Sequence, residues 1–155
     1  MLVTKEYFPR VERFLYNIPR WKVRIKTLQL QVNELPSVTQ QFKLVPSFGS
    51  GNISDSTAQT AERRIAAALE LATLQRNIAV AEEVLQGLTD EQREIVELKY
   101  FKRFTNTATW MSLNLSRSEF YRKRNLLVDN VYELLGGEFS TILYPDTTYK
   151  HEETA

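Results

Sequence analysis

Two stretches of this chain repeat their apolar residues at alternating steps of three and four, and no other feature restricts the possible folds as much. Trp21, Ile25, Leu28, Val32 and Leu35 form one series; Leu71, Leu74, Ile78, Ala81, Leu85 and Leu88 form the other. This spacing lays the side chains along one stripe of an α-helix and does not match the two-residue alternation of a half-buried strand. An apolar stripe has to be covered, so the two helices are expected to pack on each other as an antiparallel pair, or on a second copy in a homodimer. Only five glycines and five prolines interrupt the 155 residues, and no segment reads as a strand. The expected fold class is all-α: an N-terminal helical hairpin of long helices, then a C-terminal group of shorter ones.

Local signals place the boundaries. Proline is tolerated in the first helical turn, so Pro9 and Pro19 are predicted to open helices, with Tyr16 and Asn17 ending a short first one. The next helix is predicted over residues 19–35. Residues 36–56, rich in Ser, Gln, Gly and Pro, read as a long mobile loop. A second long helix is expected from Ser56 or Thr57 to Gln86, with Gly87 as its stop. The division that follows is an N-terminal hairpin over residues 1–87 for oligomerisation or partner contact, a C-terminal domain over 88–137, and a flexible tail over 138–155.

The net charge of +1 conceals a strong segregation. Residues 1–35 carry +4, residues 55–98 carry −5, and residues 125–155 carry −5. Between them, Lys99, Lys102, Arg103, Arg117, Arg122, Lys123 and Arg124 stand against one acid, Glu119, for +6. There is no cysteine, and the single histidine, His151, lies in a polar C-terminal stretch. Thiolate or histidine nucleophiles, disulfides and zinc-type ligand sets are therefore not expected. No phosphate-binding glycine loop occurs, and Glu82 and Glu83, adjacent on a helix, point apart. The expectation is a protein that is not an enzyme, with no cofactor, no metal and no small-molecule substrate. Nothing resembles an export signal or a run of about 18 apolar residues, which leads to the expectation of a soluble cytoplasmic protein with no membrane partner.

The basic window is organised by caps. Thr89 and Gln92 form a capping-box signature at the start of a helix whose buried face is expected to hold Ile95, Val96, Leu98 and Tyr100, and which ends near Tyr100 or Phe101. Thr105 can cap a short helix running through Leu113. Asn114 suits a tight left-handed turn, and Ser116 with Glu119 is a second capping box. In the last helix Phe120, Leu127, Val131 and Leu134 or Leu135 are expected to face inward, leaving Arg117, Ser118, Tyr121, Arg122 and Lys123 on the opposite side. Double-stranded DNA is the partner such a face suits, because the first turns of a recognition helix meet base edges and guanidinium groups bind guanine bidentately. Lys102 and Arg103 are placed to hold phosphate, and Thr105 is counted with them among the DNA contacts.

The run LTDEQREIVELKYF, a short polar helix, and LSRSEFYRKRN resembles region 4 of sigma factors and the related end of phage late-transcription regulators of the RinA and ArpU families. The segment VERFLYNIPRWKVRIKTLQLQV, a polar loop and a long helix resemble the rest of the layout of those regulators. The resemblance implies a helix-turn-helix activator of phage late genes, typically packaging and structural genes, working in the host bacterial cytoplasm beside host RNA polymerase. Three positions depart from the pattern: Trp110 stands where a small alanine is usual, Thr109 takes the neighbouring apolar slot, and Asn114 replaces glycine. A bulky indole there has to turn outward or change how the two helices cross.

Blander readings accompany each of these. Arg122, Lys123 and Arg124 suit a solvated helix face, as do Arg20, Lys22, Arg24 and Lys26, which otherwise offer a second DNA surface. Tyr121 fits a partly buried side chain as well as a DNA contact, and Trp110 fits the core better than a base-stacking role. Two other functions remain open at this level: a small terminase subunit, which pairs a helix-turn-helix with long helices in a ring, and a helical module whose basic face binds an acidic protein.

Overall fold

The computed structural model describes residues 5–34 and 55–145. Among them every regular element is helical and there is no strand. Helix α1 spans Phe8–Glu34, α2 spans Asp55–Gln86, and α3 spans Asp90–Ile95 and continues as a π-helical turn over Val96–Phe101. Helix α4 is Asn106–Ser112, α5 is Arg117–Leu134, and a 3-10 turn covers Gly137–Phe139. No helix among the described residues is long and apolar enough to cross a membrane. The loop expected over residues 36–56 lies outside the described residues except at its end, where α2 has already begun at Asp55.

The break expected at Tyr16 and Asn17 does not occur, and Pro19 lies inside α1. A proline in a helix interior removes the donor that the carbonyl four residues earlier would use, at a cost of about 3 kcal/mol. The residues around it hold the helix together: Val11, Phe14, Leu15 and Ile18 are all within 2% of full burial. Pro9 falls in the first turn, where its missing N–H costs nothing.

The chain forms two compact units, Met1–Arg20 with Asn77–Ala155, and Trp21–Arg76. These units divide the chain at residues 20 and 76, whereas the division expected from the sequence lies after residue 87. In the second unit Leu28 and Leu74 are buried, Trp21, Ile25, Val32 and Leu71 are half-buried, and Arg24 pairs with Glu70 at 2.5 Å. The first unit holds the larger core: Val11, Phe14, Leu15 and Ile18 from α1, Ala81, Val84 and Leu88 at the end of α2, Ile95, Val96 and Tyr100 from α3, and Phe120, Leu127, Val128 and Val131 from α5.

The first unit also contains residues expected to be tail. After α5, Gly136 and Gly137 turn the chain at φ 101° and 60°, conformations that side chains other than glycine adopt only at a cost. Ser140 and Leu143 are buried. The Arg10 guanidinium donates to the Leu143 carbonyl at 3.0 Å and lies over the Tyr144 ring. Ser140 and Leu143, expected within a flexible tail from residue 138, are therefore packed side chains of this unit. Gly87, the expected stop, serves close approach: a Cβ there would come 3.1 Å from Leu134.

Candidate nucleic-acid interface

Three side-chain caps build the segment that holds the basic residues. Thr89 Oγ1 accepts from the Gln92 amide at 3.2 Å and Gln92 Oε1 accepts from the Thr89 amide at 3.1 Å, so the box is reciprocal. Gln92 Oε1 also accepts from Asn130 Nδ2, which ties the cap to α5. Thr105 Oγ1 accepts from the Ala108 amide at 3.1 Å, and Ser116 Oγ accepts from the Glu119 amide at 3.2 Å. At Ser116 the bond runs one way, since the Glu119 carboxylate does not return it. Each such cap satisfies an N–H that the helix itself cannot, worth about 1 kcal/mol. Asn114 takes the left-handed conformation expected of it, at φ 55°, and turns the chain from α4 into α5.

The register of α3 changes after Ile95. In a π-helical turn the carbonyl pairs with the amide five residues on, as Glu97 does with Lys102 at 2.9 Å. Each residue then advances less around the axis. Tyr100 stays in the core, Lys99 joins it at 7% exposure, and Leu98 is only half-buried, against the expectation that Leu98 would be inside. The Lys99 ammonium donates to Asn106 Oδ1 at 2.7 Å, and burial holds its pKa below the usual lysine value. The Tyr100 hydroxyl donates to Glu12 at 2.8 Å, and burial, then the Glu12 carboxylate, raise its pKa far above the ordinary phenol value.

The seven basic residues separate into two groups. Lys99 is inside. Lys123 is paired with Glu91 in the first turn of α3. Arg103, at φ 58°, has its guanidinium 5.1 Å from the Tyr16 ring. The Arg124 guanidinium lies between the rings of Phe8 (4.9 Å) and Tyr121 (4.8 Å), with Nη2 donating to Asn125 Oδ1 and a buried Nε that bonds to nothing among the described residues. Lys102, Arg117 and Arg122 are exposed and have no carboxylate partner among the described residues.

Of the expected site residues, Arg117, Ser118, Tyr121 and Arg122 share the early turns of α5, with Arg117, Ser118 and Arg122 exposed. Tyr121 is half-buried and has the Arg117 guanidinium 5.7 Å from its ring centre. Thr105 is exposed, but its hydroxyl is committed to the α4 cap. Lys123 and Arg103 each have an intramolecular partner. Trp110 turns neither into the core nor fully outward: it lies 5.8 Å from Phe120 and 6.0 Å from Tyr121, bracing α4 on α5. Thr109, in the apolar slot, is fully buried and donates its hydroxyl to the Thr105 carbonyl at 2.8 Å, which removes the cost of burying it. Of Leu134 and Leu135, it is Leu135 that faces inward.

Two residues that the sequence reading passed over continue the exposed face of α5. Asn125 is exposed, and Leu126 is 52% exposed despite being apolar. The i, i+4 and i, i+7 spacings from Ser118 through Arg122 to Asn125 and Leu126 were the available signal. On another side, Glu94, Glu97 and Leu98 of α3 line an open groove of about 400 Å³ with Ser112 and Leu113. Its carboxylates repel a nucleic-acid backbone, which sets this groove against a role in holding one. No group of three or more candidate metal ligands occurs among the described residues.

The family model described as "Protein of unknown function (DUF722)" matches residues 16–133, which is 118 of the 155 residues. No curated protein and no solved structure matches the chain.

Proposed function

The chain belongs to the DUF722 family, and from the geometry of α4 and α5 we propose that it is a sequence-specific DNA-binding protein. In this reading α4 and α5 form a helix-turn-helix in which α5 enters the major groove. One observation carries it: an N-capped helix presents Arg117, Ser118 and Arg122 to solvent at its first turns, unpaired by any carboxylate among the described residues. These are the turns from which a recognition helix reads base edges, and unpaired guanidinium groups suit guanine O6 and N7. Lys102, exposed at the end of the π-helical turn, lies on the approach to α4 and suits a backbone phosphate. Arg103 and Lys123 contribute to the local positive potential while their side chains hold the fold.

Within this reading the stretches of α1 and α2 in the second unit form the N-terminal helical hairpin, and the protein acts as a homodimer in the cytoplasm. Because no cysteine is present and the one histidine, His151, lies in a polar C-terminal stretch, the reading is of a non-catalytic protein that needs no cofactor. The resemblance to RinA and ArpU regulators extends it to activation of phage late packaging and structural genes, with host RNA polymerase as the further partner.

The test is binding of the full chain to the DNA around its own gene, at matched salt. Arg117→Ala with Arg122→Ala should lower affinity for the preferred site by tenfold or more, while Lys102→Ala should weaken binding to all sequences alike and flatten the salt dependence by about one unit of slope. Unchanged site affinity in the double variant would reject α5 as the reading helix. A ring of many subunits by mass would favour the packaging-adaptor reading instead.

A further inference from the structure

We infer that a second copy of this chain packs on the outer face of α2, antiparallel to it, about a two-fold axis at or beside Leu69. The inference names the surface of the homodimer in the reading above and rests on that reading only for the existence of a dimer.

Helix α2 carries two stripes. One, through Leu71 and Leu74, is the shielded stripe already described. On the other side Ala58, Glu62, Ile65, Leu69, Ala72 and Arg76 follow one another at steps of four and three, and every one of them is exposed. Ile65 is 62% exposed and Leu69 66%. A helix that is apolar on opposite sides is one that is covered on both. The stripe runs for about 27 Å at 1.5 Å per residue, long enough for a helix–helix contact with the regular three-and-four spacing of a knobs-into-holes seam.

The charges on the stripe select both the partner and its direction. Glu62 lies seven residues before Leu69 and Arg76 seven after it. In an antiparallel pair centred on the middle of the stripe, Glu62 of each copy comes within a helical turn of Arg76 of the partner subunit, within reach of both long side chains. Two ion pairs then flank an apolar centre of Ile65, Leu69 and Ala72. A parallel pair sets Glu62 against Glu62 and Arg76 against Arg76, which is repulsive at both ends. The face is thus self-complementary in one orientation only, as a two-fold interface requires.

Mass measurement on the full chain without DNA tests this. Leu69→Glu is expected to give monomers with unchanged helical content. Glu62→Arg and Arg76→Glu should each raise the dimer dissociation constant at least tenfold, and the double exchange should recover the dimer. Because the chain has no cysteine, single thiols report the geometry: Leu69→Cys should cross-link with a short bis-maleimide, and Ala58→Cys should not. Equal cross-linking at both positions, an unaltered mass in Leu69→Glu, or failure of the double exchange would overturn the inference. Arg117→Ala with Arg122→Ala should remain dimeric, so loss of DNA binding in that variant bears on the reading helix alone.

Discussion

Lys123 of α5 is paired with Glu91 in the first turn of α3, so a residue of the basic run is tied to an acidic residue of the preceding helix. Both side chains keep partial exposure, 26% and 48%, and pairs of this kind contribute at most about 1 kcal/mol. Lys123→Ala is expected to lower stability by no more than about that amount and to leave the salt slope of DNA binding unchanged. Arg122→Ala should leave stability within about 0.5 kcal/mol of the parent while weakening site-specific binding. Urea denaturation and anisotropy titrations at several salt concentrations separate the two. Equal losses of DNA affinity would show that Lys123 leaves Glu91 to reach the backbone.

Arg124 is expected to behave as a core residue despite its charge. Its guanidinium lies between the Phe8 and Tyr121 rings, and its Nε is buried without a hydrogen bond among the described residues. Two partly desolvated cation–π contacts, at about 0.5–2 kcal/mol each, are offset by the cost of the unsatisfied donor. Arg124→Ala should destabilise by about 1–3 kcal/mol through lost packing. Arg124→Met, which keeps the stem and removes the orphan N–H, should cost less than the alanine. The urea midpoints at constant slope measure the order, and an equal or larger loss for methionine would mean that the ring contacts dominate.

Acid should loosen the attachment of the N-terminal residues to α5. Asp129 accepts from Lys5 at 2.8 Å and from the Tyr7 hydroxyl at 2.5 Å, and Tyr7 stacks on Tyr132. Burial pushes the Asp129 carboxyl upward, but the hydrogen bonds from Lys5 and Tyr7 outweigh it and hold the group below its ordinary value. A carboxyl whose folded pKa is depressed stabilises the fold above its unfolded value, about 3.9, and loses that contribution as pH falls through the folded pKa. Asp129→Asn should therefore lower stability at neutral pH and flatten the decline below about pH 4. Thermal midpoints from pH 7 to pH 2 provide the measurement; parallel curves for parent and variant would exclude the carboxylate as the source.

Asn114 offers a stabilising substitution. Its φ of 55° is a conformation that glycine adopts at no steric cost. Asn114→Gly should leave stability equal or raise it by up to about 1 kcal/mol, whereas Asn114→Val should lower it by about 1–2 kcal/mol. Specific DNA affinity should follow the same order if the turn sets the angle between α4 and α5. A valine variant as stable as the parent would mean that the turn relaxes without cost.

The segment from Thr89 to Leu135 was legible in the sequence because its signals are local. Thr89, Thr105 and Ser116 cap where their hydroxyls can reach an amide two or three residues on, and Asn114 turns where a left-handed residue is needed. Spacing likewise placed Phe120, Leu127 and Val131 inside. The use of each basic residue was not legible, because it depends on neighbours distant in the chain. Arg103 meets Tyr16, Arg124 meets Phe8, and Lys123 meets Glu91.

By itself, then, the sequence determined an all-helical chain with its caps, its left-handed turn at Asn114 and its basic run, since short-range hydrogen bonding and periodicity are written in neighbouring residues. Tertiary structure alone decided that Pro19 sits within a continuous helix, that a π-helical turn carries Lys99 inward, that Leu143 and Tyr144 meet Arg10 of α1, and that Lys102, Arg117 and Arg122 have no carboxylate partner among the described residues. The reason is energetic. Burial of Leu15 and Ile18 outweighs a broken helical hydrogen bond, and Asn106 satisfies a buried ammonium, and neither compensation can be read from the residues that require it.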